Sequence, residues 1–125
     1  MDIYRIHKEV AQASDTFGWL EARPTADGQG VYVKAVMQTS AGNIYALVVT
    51  FPNYPNQMPK VMISQPALRA SPHRYNDGTI CYLHPNFWNP GFHNLTFVLG
   101  RAAKWLNKYE VWCVKRRWPG AQLEH

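Results

Sequence analysis

One thiol in this chain sits where a nucleophile could work. Cys81 lies within Pro72-His73-Arg74-Tyr75-Asn76-Asp77-Gly78-Thr79-Ile80-Cys81-Tyr82-Leu83-His84. Cysteine is the strongest nucleophile among ordinary side chains at neutral pH, even with a small thiolate fraction. Asp77-Gly78 turns a chain sharply, so the thiol follows an exposed turn that a large substrate can reach. A free cysteine can equally be a small core residue, and burial is the competing reading. His73, Cys81, His84 and His93 raise a third, a zinc site, and Cys81-x-x-His84 has ligand-like spacing. Structural zinc wants four ligands in recognisable pairs, so His84 and His93 read better as loop-lining, hydrogen-bonding residues. Cys113, between Trp112 and Val114 in a predicted helix, reads as packing or surface.

The elements that must position Cys81 can be read from periodicity. Ile3, Ile6, Val10 and Ala13 recur at helical spacing, and that helix ends near Ser14-Asp15. Strand character follows over Phe17 to Arg23, closed by Pro24, and over Val31 to Thr39, Ile44 to Phe51 and Lys60 to Ser64. Ser40-Ala41-Gly42-Asn43 has hairpin-turn chemistry, and short connections imply an antiparallel meander. From Gln65 to Asn94 periodicity vanishes among prolines and glycines, and a loop this long in a compact domain is usually functional. Leu95, Val98, Leu99, Ala102, Ala103 and Leu106 then form a helical stripe, with Asn94 or Thr96 as its cap. Helical character continues from Tyr109 to Val114, with a bend as one option.

The 125 residues, 46% apolar and 17% charged, fit one globular α+β domain over residues 1–122. Leu123-Glu124-His125 reads as an expression-tag remnant. No apolar run is long enough to span a membrane, and neither a signal peptide nor a disulfide framework is visible, so a cytoplasmic setting is expected. The net charge is +5, and six basic residues face one acid between Arg101 and Arg117. That end should attract an acidic partner. The aromatics Phe87, Trp88, Phe92, Phe97, Trp105, Trp112 and Trp118 suit packing better than a base-stacking platform. Nucleic acid is therefore an unfavoured partner, kept as an alternative function class beside a non-catalytic protein-binding module.

The ordered motifs resemble the ubiquitin-conjugating enzyme family. Tyr54-Pro55 followed by Met58-Pro59-Lys60-Val61 is similar to its Tyr-Pro…Pro-Pro-Lys-Val segment. Asp77-Gly78-Thr79-Ile80-Cys81 resembles its Asn-Gly-x-Ile-Cys segment, and Trp88-Asn89-Pro90 its Trp-x-Pro. His73-x-Tyr75-x-Asp77-Gly78-x-Ile80-Cys81 and Trp105-Leu106…Tyr109-Glu110-Val111-Trp112 look like the bacterial branch, which includes proteins of antiphage cyclic-oligonucleotide signalling operons.

The resemblance implies an α+β conjugating fold: an N-terminal helix, a four-stranded meander, a long active-site loop and C-terminal helices. It implies that Cys81 carries the C-terminal carboxylate of a protein as a thioester and passes it to an acceptor amine, expected to be lysine. It also implies a cyclic-GMP–AMP-synthase-like nucleotidyltransferase as the carried protein, an acceptor protein and, where one exists, a separate activating enzyme. Another bacterial ubiquitin-like pathway is the alternative, and no cofactor is expected. The family's His-Pro-Asn falls, counted without gaps, on Ser71-Pro72-His73, while the literal His84-Pro85-Asn86 lies after Cys81. The oxyanion-supporting position therefore falls on His73, whose imidazole N–H can donate as an amide does; a base for the incoming amine and a brace for the loop are its alternative roles. Tyr75, Asn76, Asp77 and His84 are the remaining candidates for support of the loop or thioester.

Overall fold

In the computed structural model, which describes residues 1–120, the order is α1 (Ile3–Ala13), β1 (Trp19–Pro24), β2 (Val31–Gln38), β3 (Ile44–Thr50), β4 (Lys60–Gln65) and α2 (Leu95–Lys115). The proposed tag residues, 123–125, lie outside the described residues. A single 3-10 turn, Pro85–Phe87, interrupts the loop between β4 and α2.

The four strands form one antiparallel sheet in sequence order. Strict alternation builds its core face: Val31, Val33, Ala35 and Met37 on β2, Tyr45, Leu47 and Val49 on β3, and Val61 and Ile63 on β4 are buried. Register places Ala22, Val33, Val49 and Val61 in one row across the sheet. Helix α2 contributes Leu95, Val98, Leu99, Ala102 and Leu106 to the same core. Each buried Val, Leu, Ile or Met among them contributes roughly 1.5–3 kcal/mol through burial. Helix α2 runs unbroken for 21 residues, so the described residues hold one C-terminal helix where the sequence left a break into two as an option. Its caps explain its limits. Asn94 Oδ1 accepts from the Phe97 N–H at 2.9 Å, and Arg116 ends the helix in the left-handed conformation.

Helix α1 is tied to the rest through a buried acid. Glu9, 6% exposed, accepts from the Tyr54 hydroxyl (2.5 Å), the Leu95 N–H (2.8 Å) and Arg5 Nε (2.5 Å). Burying a carboxylate is tolerable because both oxygens are satisfied. It also lies against the N-terminus of α2, where a negative charge is favoured.

Candidate active site

The stretch before Cys81 is a miniature hairpin. Arg74 and Ile80 form an antiparallel bridge, Tyr75 N–H donates to Thr79 O at 2.8 Å, and Gly78 N–H donates to Tyr75 O at 3.0 Å. The turn requires Gly78 at φ +90, a conformation L side chains rarely adopt. Asp77 pins it, since one carboxylate oxygen accepts from both the Thr79 N–H (2.9 Å) and hydroxyl (2.6 Å). The other meets Lys60 Nζ at 3.0 Å. These Thr79 hydrogen bonds, then Lys60, hold the Asp77 carboxyl down at about 2. Ile80 N–H donates to Val61 O at 2.9 Å, which hooks the hairpin onto the last member of the sheet's core row.

Cys81 follows directly and is 6% exposed. Its N–H donates to His73 O at 2.8 Å, and that carbonyl also accepts from Trp105 Nε1 at 3.1 Å. His73 makes this possible by adopting φ +62, a left-handed conformation that costs a non-glycine residue about 1–2 kcal/mol. Its imidazole packs on the indole of Trp118, ring centroids 4.7 Å apart, with Nε2 out of contact with solvent. Burial pushes the Cys81 thiol up, a hydrogen bond from Tyr75 opposes this, and the Asp77 charge adds to it. The Tyr75 phenol is pushed up to about 12, first by burial and then by Cys81. At neutral pH it is a protonated donor beside the sulfur.

The stretch after Cys81 is held from elsewhere in the chain. The Tyr82 hydroxyl donates to Pro59 O (2.5 Å), and Arg101 Nε donates to Tyr82 O (3.0 Å). Trp88 Nε1 donates to Pro55 O at 2.8 Å, and Arg5 Nη2 donates to Pro90 O and His93 O, each at 2.9 Å. His84 turns its Nδ1 to the Asn86 N–H at 3.1 Å, capping the 3-10 turn. Among the described residues no group of three His, Cys, Asp or Glu side chains could hold a metal.

A cleft of 660 Å³ borders the hairpin, lined by Met58, Lys60, Tyr75, Asn76, Asp77, Pro85 and Trp88 among others. A larger groove of 1040 Å³ lies around Cys113 and Val114. Chemistry, not volume, selects the smaller one, because it borders the hairpin that leads to Cys81 and is lined by the perturbed Tyr75 phenol.

Sequence reasoning overlooked Arg5, Glu9 and Arg101. A signal for Glu9 existed: it occupies a position of the Ile6/Ala13 stripe where the pattern demands an apolar side chain. Arg101 was counted only as part of a charged surface, whereas its stem and Nε reach the loop behind the thiol.

The match to known families decides what this site belongs to. Residues 9–125 match the family model described as Type II CBASS E2 protein. The chain belongs to that family. It is an E2-like, ubiquitin-conjugating-like protein of the CBASS antiphage-defence group, as the ordered motifs around Cys81 implied. Among solved structures, the Vps23 UEV from its complex with ubiquitin aligns at a TM-score of 0.61 and 18% identity, covering 82% of this chain and 81% of that one. Human ubiquitin-conjugating enzyme E2 G1 aligns at 0.56 and 18% identity, covering 82% and 91%. At this identity they establish the α+β conjugating fold alone. No curated protein matches the sequence. Among the described residues no helix of this CBASS E2 protein is long and apolar enough to cross a membrane.

Proposed function

We propose that Cys81 is the acyl-carrying nucleophile of this CBASS E2 protein. The observation that carries this reading is the placement of Cys81: it follows the Arg74–Ile80 hairpin, its N–H is held by the His73 carbonyl, and a cleft lined by Tyr75, Asp77 and Ile80 borders that hairpin. The Cys81 thiolate attacks the activated C-terminal carbonyl of a protein, the activating group leaves, and a thioester forms. A lysine amine of an acceptor protein then attacks the thioester, and the thiolate departs as the amide forms. The carried protein in this proposal is a cyclic-GMP–AMP-synthase-like nucleotidyltransferase, and its attachment primes signal synthesis. Activation of its carboxylate belongs to a separate activating enzyme where one exists.

The tetrahedral oxyanion needs a donor, and one aimed at the charge is worth about 3–4 kcal/mol. Two groups are available in this proposal. The Tyr75 phenol stands at the sulfur as a protonated donor. His73 enters first as the residue whose carbonyl seats Cys81, and its imidazole is the second candidate donor. The variants His73→Asn and His73→Ala separate these roles. A donor role predicts that Asn retains transfer while Ala loses ~100-fold. A bracing role predicts that both lower thermal stability along with activity.

The test of the nucleophile uses both cysteines. Conjugation should vanish in Cys81→Ala and persist in Cys113→Ala, and Cys81→Ser should trap a more stable oxyester. Conjugation surviving Cys81→Ala but not Cys113→Ala would assign the chemistry to the other thiol.

A further inference from the structure

The chain does not stop where α2 stops. Arg116 takes φ +57, its N–H donates to Trp112 O at 2.8 Å, and its guanidinium stacks over the Trp112 ring at 4.8 Å. This ends the helix, and two residues later Trp118 lies against two rings at once: His73 at 4.7 Å and Trp105 at 5.3 Å. Trp105 is itself fixed, stacked on Tyr109 at 5.5 Å with an interplanar angle of 8°. It donates to the same His73 carbonyl that seats the Cys81 N–H.

We infer that Trp118 is a positioning residue for Cys81: its ring lies against both His73 and Trp105, and so holds in place the carbonyl to which Cys81 is bound. His73 needs such a hold. A non-glycine residue at φ +62 relaxes toward the ordinary regions unless its surroundings over-determine it. Trp105 grips the carbonyl, and the ring of Trp118 lies against the imidazole. With Trp118 gone, the strained residue can rotate, its carbonyl swings off, and the Cys81 backbone loses its acceptor. The strap after α2 thus governs a thiol 37 positions earlier in the sequence. The inference deepens the reading of Cys81 as the nucleophile and rests on it for its meaning in the reaction.

The test uses the full chain with Trp118→Ala and Trp118→Phe. Amide hydrogen exchange at Cys81 reads the seat directly and requires no conjugation chemistry. In Trp118→Ala that amide should exchange ~10-fold faster or more, while the β3 amides of Leu47 and Val49 keep their protection. Trp118→Phe, which retains a ring against the imidazole, should restore protection. Trp118→Leu serves the same comparison if Trp118→Ala does not fold. A second readout is discharge of a preformed Cys81 thioester to hydroxylamine in a single turnover, which should slow in the Ala variant and recover in the Phe variant. Unchanged Cys81 exchange overturns the inference, and so does acceleration shared equally by Leu47 and Val49, which marks a general loss of stability. If the wild type never forms a thioester, the reading of the nucleophile fails, while the exchange comparison still decides the role of Trp118.

Discussion

The two halves of the active-site loop are built by different means. Before Cys81, the hairpin is largely a local object: Asp77 holds Thr79, Tyr75 holds Thr79 and Gly78, and Gly78 supplies the positive φ. After Cys81, local turns such as His84 to Asn86 and Asn89 to Gly91 persist, but the stretch is also held from far along the chain. Tyr82 reaches Pro59, Trp88 reaches Pro55, and Pro90 and His93 are held by Arg5, 85 and 88 positions away in sequence. One half aims the thiol, and the other fastens the loop to α1, the β3–β4 connection and α2. A thiol on this seam can be fixed in direction while its far side remains tied to the core.

The largest expected effect comes from cutting the long-range half. Glu9→Ala strips acceptors from the Tyr54 hydroxyl, the Leu95 N–H and Arg5 at once. It should cost about 3 kcal/mol, read as a lower urea midpoint. A loss below about 1 kcal/mol would mean that the downstream half does not depend on α1.

Gly78→Ala attacks the local half. A Cβ there would meet Met62 at 3.5 Å, an ordinary contact, so the cost is the conformation itself, about 1–2 kcal/mol. The damage should concentrate in hydrogen exchange around Tyr75 to Cys81 and leave Arg5 and Glu9 as they were. Uniform loosening of both halves would erase the distinction drawn here.

Tyr75→Phe should have the smallest effect and act on the thiol alone. The Tyr75 hydrogen bond lowers the proton affinity of Cys81, and removing it raises that affinity further. Less thiolate is then present at pH 8, and iodoacetamide should alkylate Cys81 a few-fold more slowly. In the wild type the thiol is already raised above its ordinary value of 9.0, so its alkylation rate should climb through pH 9 without levelling. A plateau below pH 9 would show a thiolate better stabilised than this environment allows.

The same contrast explains what the sequence could reveal. Strand alternation, the helix caps and the Asp77-Gly78 turn act over a few residues, so α1, the four strands, the start of α2 and the position of Cys81 were readable. Strand ends shifted by a residue or two; Phe17, for example, precedes β1 rather than opening it. The absence of a bend in α2 follows from packing, because Trp105, Tyr109 and Trp112 stack along one continuous helix. The seat of Cys81 was hidden because the backbone carbonyl of His73 and Trp105, 32 positions downstream of His73, supply it. His73 was identified by its position relative to Cys81, yet its conformation and its contact with Trp118 arise only in the folded chain. Accessibility alone would point to Cys113, the more exposed of the two thiols.

The central claim is that Cys81 carries an acyl group. Co-expression with the neighbouring genes, followed by intact-mass analysis under non-reducing conditions, tests it most directly. The account predicts a species heavier by one protein chain, mapped to Cys81 and released by excess thiol at neutral pH, with Cys113 unmodified. A linkage that resists thiol and hydroxylamine, or one that maps to Cys113, would contradict it.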